Sequence, residues 1–384
     1  IRMGKIYTAL GLMSGTSMDG VDVSVIKSDG HSQFNNIFNK YYEFDEKLHK
    51  KLIKSRNQIS TKDDLVTFSD DLKALEREIT IFHSKIVINI LSDYKEEIDL
   101  VGFHGQTIFH KSKEKISRQL GDGNLLSQLI KKKVVYDFRQ ADLKDGGQGA
   151  PLTPIFHNLL INIIYKKYKI EFPLNVLNIG GISNVTKTTK ETDLSNAIIE
   201  ARDIGPGNCL IDEWIRKNSN KKFDKEGQIG KSGKINQLIL NQAIDNFNIN
   251  HLDESIDVKD FDISFLKGLS LADGCATITN FTAYLIAEGI KFFDKENRKD
   301  FSRYLICGGG RKNSFLIENI QKYLKDFSNI NLEAIDLYNI DGDYVESQAF
   351  GYLAIRSYLK LPISFPNTTG CKKPCQGGVI VKNY

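Results

Sequence analysis

Two acidic residues, Asp19 and Asp22, stand at the end of a turn, Ser14-Gly15-Thr16-Ser17-Met18-Asp19-Gly20, that separates two apolar stretches. Carboxylates beside such a turn can hold Mg²⁺ directly or through water, and glycine lets backbone N–H groups approach anionic oxygens. Capping of the turn by both aspartates is the alternative. Further glycine clusters follow strand-like stretches at Gly180-Gly181, Gly205 to Asn208 and Gly308-Gly309-Gly310. A single cluster reads as an ordinary turn, whereas the repeated arrangement favours a cradle for nucleotide phosphates. Asp203 precedes the third cluster and is expected at a strand end, where a cleft opens. Glu346 falls in the first turn of a predicted helix, where the dipole favours an acid in any case. His104-Gly105-Gln106-Thr107 follows a predicted strand directly, so His104 is expected to touch a ligand. His31, His49, His83 and His251 lie in polar or helical contexts and are assigned solvent or packing roles.

The elements that must position these residues are legible as alternating strands and helices. Ile6 to Met13 and Val21 to Ile26 read as a strand pair around the first turn. Leu72, Leu75, Ile79, Phe82, Ile86 and Ile90 recur at the spacing of one face of a long helix over 64–93. Ile98 to Phe103 and Val134 to Phe138 read as buried strands, the second ending near Arg139. A glycine-rich stretch, Gly146 to Pro151, precedes a helix pattern over 152–165 and marks a domain boundary. Leu174 to Ile179, Gly180-Gly181 and Ile182 to Thr186 then repeat the form of the opening strand-turn-strand. Ala197 to Ala201 and Tyr304 to Cys307 read as strands, Asn313 to Tyr323 and Tyr344 to Leu359 as helices. Lys187 to Asn196 and Asn218 to Asp224 read as polar surface loops. The pattern predicts an α/β protein with mixed sheets and duplicated lobes. Residues 1–150 would form the N-terminal lobe, completed by about 360–384, and 151–359 the C-terminal lobe.

Composition narrows the function classes. In 384 residues the apolar set supplies 41%, and 52 Lys and Arg against 48 Asp and Glu leave a formal charge of only +4. That balance predicts neither a nucleic-acid nor an anionic-membrane surface and points to a small-molecule partner. No apolar run reaches the roughly 18 residues of a membrane span. The five scattered cysteines predict reduced thiols and a cytoplasmic protein, without a disulfide framework. The G-x-x-x-x-G-K-[ST] loop, the G-x-S-x-G elbow and H-E-x-x-H are all missing.

Taken in order, Gly11 to Asp22, His104 to Thr107, Asp137-Phe138-Arg139 with Gly146 to Pro151, Asn178 to Asn184, Asp203 to Asn208, Cys307 to Gly310 and Glu346 to Gly351 form a series along nearly the whole chain. This series resembles the anhydro-N-acetylmuramic acid kinase family. The resemblance implies the two-lobed fold of the hexokinase, Hsp70 and actin superfamily, with ribonuclease H-like duplicated domains closing on ATP. It implies a reaction in which a 1,6-anhydro sugar, ATP and water give the sugar 6-phosphate and ADP, in cell-wall recycling. Matched by motif, Gly15 to Asp22 corresponds to the ATP phosphate segment, with Gly180, Gly181 and Gly308 to Gly310 as further nucleotide contacts. Asp203 corresponds to the general base, and Glu346 to a sugar-binding carboxylate. His104, Gln106, Arg139 and Asn208 are expected around the sugar, Asp19 and Asp22 near Mg²⁺, and the chain is expected as a homodimer. Rival readings are a kinase for another anhydrosugar such as levoglucosan, a glycoside hydrolase using Asp203 and Glu346, and a non-catalytic nucleotide binder.

Overall fold

Tyr7–Ser14 (β1) and Gly20–Ser28 (β2) pair antiparallel from Tyr7↔Ser28 to Met13↔Asp22, forming the hairpin expected from their apolar, β-favouring residues. The computed structural model describes residues 4–188, 199–247, 261–294, 301–327 and 329–384. His251 and residues 189–196 of the first expected loop lie outside them, as do 197 and 198 of the expected strand. By contact density the described residues divide into two units: those up to Leu160 together with Tyr344–Tyr384, and nearly all of those between Ile161 and Asp343.

In the first unit a third strand, Phe34–Glu43 (β3), pairs antiparallel with β2. Sequence reasoning passed over it because none of its residues is buried and half of them are Asn, Lys or Glu, scattered among aromatic residues without strict alternation, at a sheet edge. Glu46–Gln58 (α1), Lys62–Thr67 (α2) and Ser69–Asp93 (α3) follow. The single helix expected from residue 64 is interrupted at Phe68, and a Thr61–Asp64 capping box starts the short α2. Leu72, Leu75, Ile79, Ile86 and Ile90 of α3 are buried as their spacing predicts.

Leu100–Lys111 (β4) runs parallel to β1, then pairs antiparallel with Ile116–Leu120 (β5) from Gln106↔Leu120 onward. His104 to Thr107 therefore lie inside a strand rather than after one, because a second partner takes over where the first ends. Gly123–Ile130 (α4), Lys133–Tyr136 (β6, parallel to β4), Gln140–Lys144 (α5) and Pro154–Tyr168 (α6) complete this stretch.

The second unit begins with an antiparallel hairpin, Leu174–Ile179 (β7) and Ile182–Thr188 (β8), followed by Ile199–Pro206 (β9) at the sheet edge. Lys187 and Thr188, expected in a loop, end β8. After Cys209–Asn218 (α7), Gln228–Ser232 (α8) and Gln237–Asn246 (α9) comes Leu271–Phe293 (α10). The sequence reading did not find α10, which is apolar or small on every side, shows no stripe, and is buried for most of its length. Glycine permits this: a Cβ on Gly274 would clash with the Trp214 ring, and one on Gly289 with Ile204. Ser302–Cys307 (β10), Ser314–Leu324 (α11) and Ile330–Ala334 (β11) close the unit, with β10 parallel to both β7 and β11.

The chain then returns to the first unit as Val345–Tyr358 (α12), Pro366–Thr369 (α13) and Val379–Val381 (β12), the last antiparallel to β6. The sequence-based boundary put α12 in the second lobe, but it packs on β1, β2 and β4. Gly11 and Gly102 are register partners on β1 and β4 and have no room for side chains beneath this helix.

The first sheet has the order β3-β2-β1-β4-β6, extended by β12, and the second β9-β8-β7-β10-β11. In both, a strand from an antiparallel hairpin is followed outward by two parallel strands, so each is a ribonuclease H-like sheet and the architecture is the duplicated α/β plan of actin-like ATPases. No helix among the described residues is long and apolar enough to cross a membrane.

A buried histidine gives the first unit a testable response to acid. His83 on α3 is fully buried, its ring against Phe103 and its Nδ1 2.8 Å from the Ile79 carbonyl, and burial lowers its pKa from 6.5 to about 4. The unfolded chain therefore binds the extra proton between these values, and stability falls as pH drops from about 6.5 towards 4. The loss from this residue amounts to about 3 kcal/mol. His83→Phe is expected to flatten that part of a denaturation-versus-pH curve, whereas an unchanged slope would remove His83 as its source.

Candidate active site

The first turn is gripped from three directions. Its backbone closes from Met18 N to the Gly15 carbonyl at 3.2 Å, with Met18 in the left-handed region at φ 59° and its side chain buried. Beneath it, the single O–H of Ser14 is shared between Gln106 Oε1 at 2.5 Å and the Gly20 carbonyl at 2.9 Å, while Gln106 Nε2 donates to the Gly15 carbonyl at 3.0 Å. From α1, Arg56 donates to the Thr16 carbonyl at 2.9 Å, and His49 Nε2 stands 3.4 Å from Asp19 Oδ1. His49 thus has a partner at the turn, which its sequence context did not reveal. Among the described residues no hydrogen bond engages the Thr16 and Ser17 amides, so the turn presents N–H groups of the kind that bind anionic oxygens. Met18, Gly20 and Val21 are buried, leaving Gly15, Thr16, Ser17, Asp19 and Asp22 as its accessible part. Asp19, Glu43 and Asp22 all help burial to raise the Tyr41 pKa, which places these carboxylates in one electrostatic neighbourhood.

Two residues expected at the sugar make hydrogen bonds within the protein. Gln106 is fully buried and its amide is spent on Ser14, Gly15 and the Thr107 carbonyl, making it a support for the turn. His104 lies against the Phe350 ring, with Nδ1 2.7 Å from the Gly105 carbonyl and Nε2 2.9 Å from Arg139 Nη2. Burial, with the Arg139 charge adding to it, holds His104 well below the usual histidine pKa. The neutral ring therefore donates through Nδ1 and accepts through Nε2, so both its hydrogen bonds stay within the protein. Arg139, just before α5, is held by His104 and by the Gly149 carbonyl at 2.8 Å, and is the half-buried cation of this group.

Every residue of α12 is buried except Glu346 and Tyr358. Glu346 sits in the first turn, followed by Ser347, whose hydroxyl is 2.7 Å from Ser24 Oγ on β2. A single carboxylate is thus carried at the positive end of a helix fixed on a sheet.

In the second unit three glycine-bearing turns converge. The Gly207 and Cys209 amides donate to the Gly181 carbonyl at 2.9 and 3.2 Å, and the Asn208 amide to that of Gly180 at 2.8 Å. The turn before α7 is thereby docked on the turn between β7 and β8. Gly308, at φ 81°, has no room for a side chain beside Asn178 and Ile179, and Gly309 lies close to Asn208. Parallel strands β7 and β10 end here side by side, the edge of an α/β sheet at which ligands bind.

Arg311 anchors the Gly308 turn by donating to the Gly308 carbonyl and to both Asp336 and Asp343. The sequence reading missed this residue, although its place directly after three glycines was a usable signal. Asp203 lies within β9 rather than beyond it and is 7% exposed. Ile204 beside it packs into the core against Gly289 of α10, so strand alternation turns Asp203 to the opposite face. Among the described residues no group of three or more His, Cys, Asp or Glu is arranged to hold a metal.

Two sheets of one topology, with glycine turns at the ends of parallel strands, define an α/β protein of the actin-like ATPase class. The chain belongs to the anhydro-N-acetylmuramic acid kinase family, whose pattern it matches over residues 7–383. It is 54% identical, over 100% of both chains, to the anhydro-N-acetylmuramic acid kinase of Pelagibacter ubique (strain HTCC1062). Identity to that of Agrobacterium fabrum (strain C58 / ATCC 33970) is 36%, over 99% of this chain and 100% of the relative. Among solved structures it aligns with hexokinase from Schistosoma mansoni complexed with glucose at 10% identity and a TM-score of 0.42, covering 90% and 85% of the two chains. The protein is a kinase, and a kinase of this class uses ATP.

Proposed function

We propose that the protein opens the 1,6-anhydro ring of anhydro-N-acetylmuramic acid with water and phosphorylates the released O6 with ATP, giving N-acetylmuramic acid 6-phosphate and ADP. The observation that carries this reading is Asp203, a buried carboxylate on the face of β9 opposite Ile204, just ahead of the docked Gly205 to Asn208 turn. Its role is to take a proton from the water that attacks C1. The C1–O6 bond breaks as the water oxygen bonds to C1, and O6 accepts the γ-phosphoryl group. Asp203 needs only modest basicity, since phosphorylation of the departing oxygen assists the same step.

Thr16 and Ser17 amides, with the turns at Gly180-Gly181 and Gly308 to Gly310, are assigned to the nucleotide, and Glu346, Arg139 and Asn208 to the sugar. Mg²⁺ bound with a nucleotide takes one or two carboxylates besides phosphate and water. Asp19 and Asp22, three residues apart at the end of the turn and both partly exposed, supply that number of carboxylates and would hold it. When bound, the ion neutralises charge on the transferring phosphoryl group. The substrate places the reaction in cell-wall recycling in the cytoplasm, which suits five free cysteines, and family resemblance supports a homodimer.

Incubation with the anhydrosugar, with and without Mg-ATP, tests this reading. A product mass equal to sugar plus water plus phosphoryl, formed only with ATP, is expected. Ring opening without nucleotide would favour the hydrolase, and faster turnover of levoglucosan would favour the other kinase.

Gln106→Ala separates support of the turn from sugar contact. Loss of its hydrogen bonds to Ser14 and Gly15 is expected to raise KM for ATP about 30-fold, at about 1 kcal/mol per bond, with KM for the sugar unchanged. The reverse pattern in steady-state kinetics would return Gln106 to the sugar.

A further inference from the structure

Asp142 on α5 is 1% exposed and belongs to none of the groups assigned above. Its Oδ1 accepts hydrogen bonds from Ser364 Oγ at 2.5 Å and Thr369 Oγ1 at 2.6 Å, and its Oδ2 accepts the Gly149 amide at 2.7 Å. A buried carboxylate with three such donors is rigid, and charge-assisted bonds of this length are strong. The Gly149 residue it holds adopts φ 77°, and the same residue's carbonyl accepts from Arg139 Nη1 at 2.8 Å. His104 fixes the other side of that guanidinium. Arg139 and Asp142 are one helical turn apart, and the Leu143 amide bonds to the Arg139 carbonyl at 3.1 Å.

The segment after α12 belongs to the same assembly. Gln148 N donates to the Thr369 carbonyl at 2.8 Å, and Lys372 N to that of Asp145 at 3.3 Å. A Cβ on Gly147 would collide with the Asp142 carboxylate, so the loop is packed directly on the charge.

We propose that Asp142 is a positioning residue for the sugar half of the reaction, fixing Gly149 so that its carbonyl and His104 together orient Arg139. This rests on the assignment of Arg139 to the sugar. A carboxylate that only stabilised the loop would lower stability and weaken both ligands together. One that orients Arg139 weakens the sugar alone, and only while Arg139 is present.

The test is calorimetric titration of the full chain with anhydro-N-acetylmuramic acid and, separately, with a non-hydrolysable Mg-ATP analogue. The variants are Arg139→Ala, Asp142→Asn, the double variant and Ser364→Ala. Asp142→Asn is expected to weaken sugar binding about 10-fold, and misplacement of a binding group by about 1 Å can cost up to 100-fold. The analogue should bind within about twofold of wild type, and the double variant no more weakly to the sugar than Arg139→Ala alone. Effects that multiply in the double variant, or equal losses for both ligands, overturn the proposal.

Ser364→Ala removes one donor and keeps the Gly149 contact, so it serves if Asp142→Asn does not fold. Sugar binding weakened about 2- to 5-fold supports the proposal, and an unchanged value overturns it. If Arg139→Ala binds the sugar normally, the assignment of Arg139 fails and the proposal with it. If Arg139→Ala binds weakly and Asp142→Asn normally, the proposal alone fails.

Discussion

Asp203→Asn is expected to lower kcat for anhydrosugar phosphorylation by about 10³-fold while nucleotide binding persists. The substitution keeps the shape of the side chain while removing its negative charge and its capacity to accept a proton. Loss of a general base costs about 10² to 10⁴ in rate. A value within that range is expected because phosphorylation of O6 still assists departure of the leaving oxygen. The fold should tolerate the change, since the residue lies on the face of β9 opposite the Ile204 core contact. Single-turnover measurements with saturating Mg-ATP read the loss directly. Turnover within threefold of wild type would remove Asp203 from proton transfer.

Gly11→Val is expected to destabilise the first unit by about 3 kcal/mol or more, at or beyond the usual upper cost of overpacking. A Cβ at residue 11 would run into the Ser347 carbonyl and stand 2.6 Å from the Gly351 amide, both backbone groups of α12. Backbone in a buried helix cannot rotate away as a side-chain tip can. The helix would have to lift from β1, taking Glu346 in its first turn with it, so sugar affinity should fall together with stability. Gly15→Ala provides the contrast, because nothing lies within 4 Å of a Cβ placed there. Chemical denaturation of the two variants is expected to separate them clearly. Similar midpoints would contradict the close strand–helix packing.

Local signals in the sequence carried much of the fold. The β1–β2 and β7–β8 hairpins, the buried stripe of α3 and the glycine turns are written in nearest-neighbour patterns. Elements decided by tertiary context were hidden. β3 lacks a clean alternation because it is a partly exposed sheet edge, and α10 has no stripe because it is surrounded. The assignment of α12 to the first unit depends on two glycines 91 positions apart in sequence, Gly11 and Gly102, being neighbours in the sheet.

The candidate site divides along the same line. Residue types and order pointed to the turn at Gly15, to Asp203 and to Glu346, because charge and backbone freedom are properties of single positions. The tasks of His104, Gln106 and His49 are set by who faces whom. Gln106 reads as a ligand contact until Ser14 and the Gly15 carbonyl are seen to occupy its amide. Arg311 and Asp142 act through partners far along the chain, at Asp336, Asp343, Ser364 and Thr369, which no local pattern discloses.

Turnover in H₂¹⁸O with rapid quenching, before the anomeric hydroxyl exchanges with solvent, tests most directly whether water opens the ring. The account predicts one ¹⁸O at C1 of the sugar 6-phosphate and none in the transferred phosphoryl group. Label in the phosphoryl group, or an unlabelled C1 in the first product formed, would contradict it.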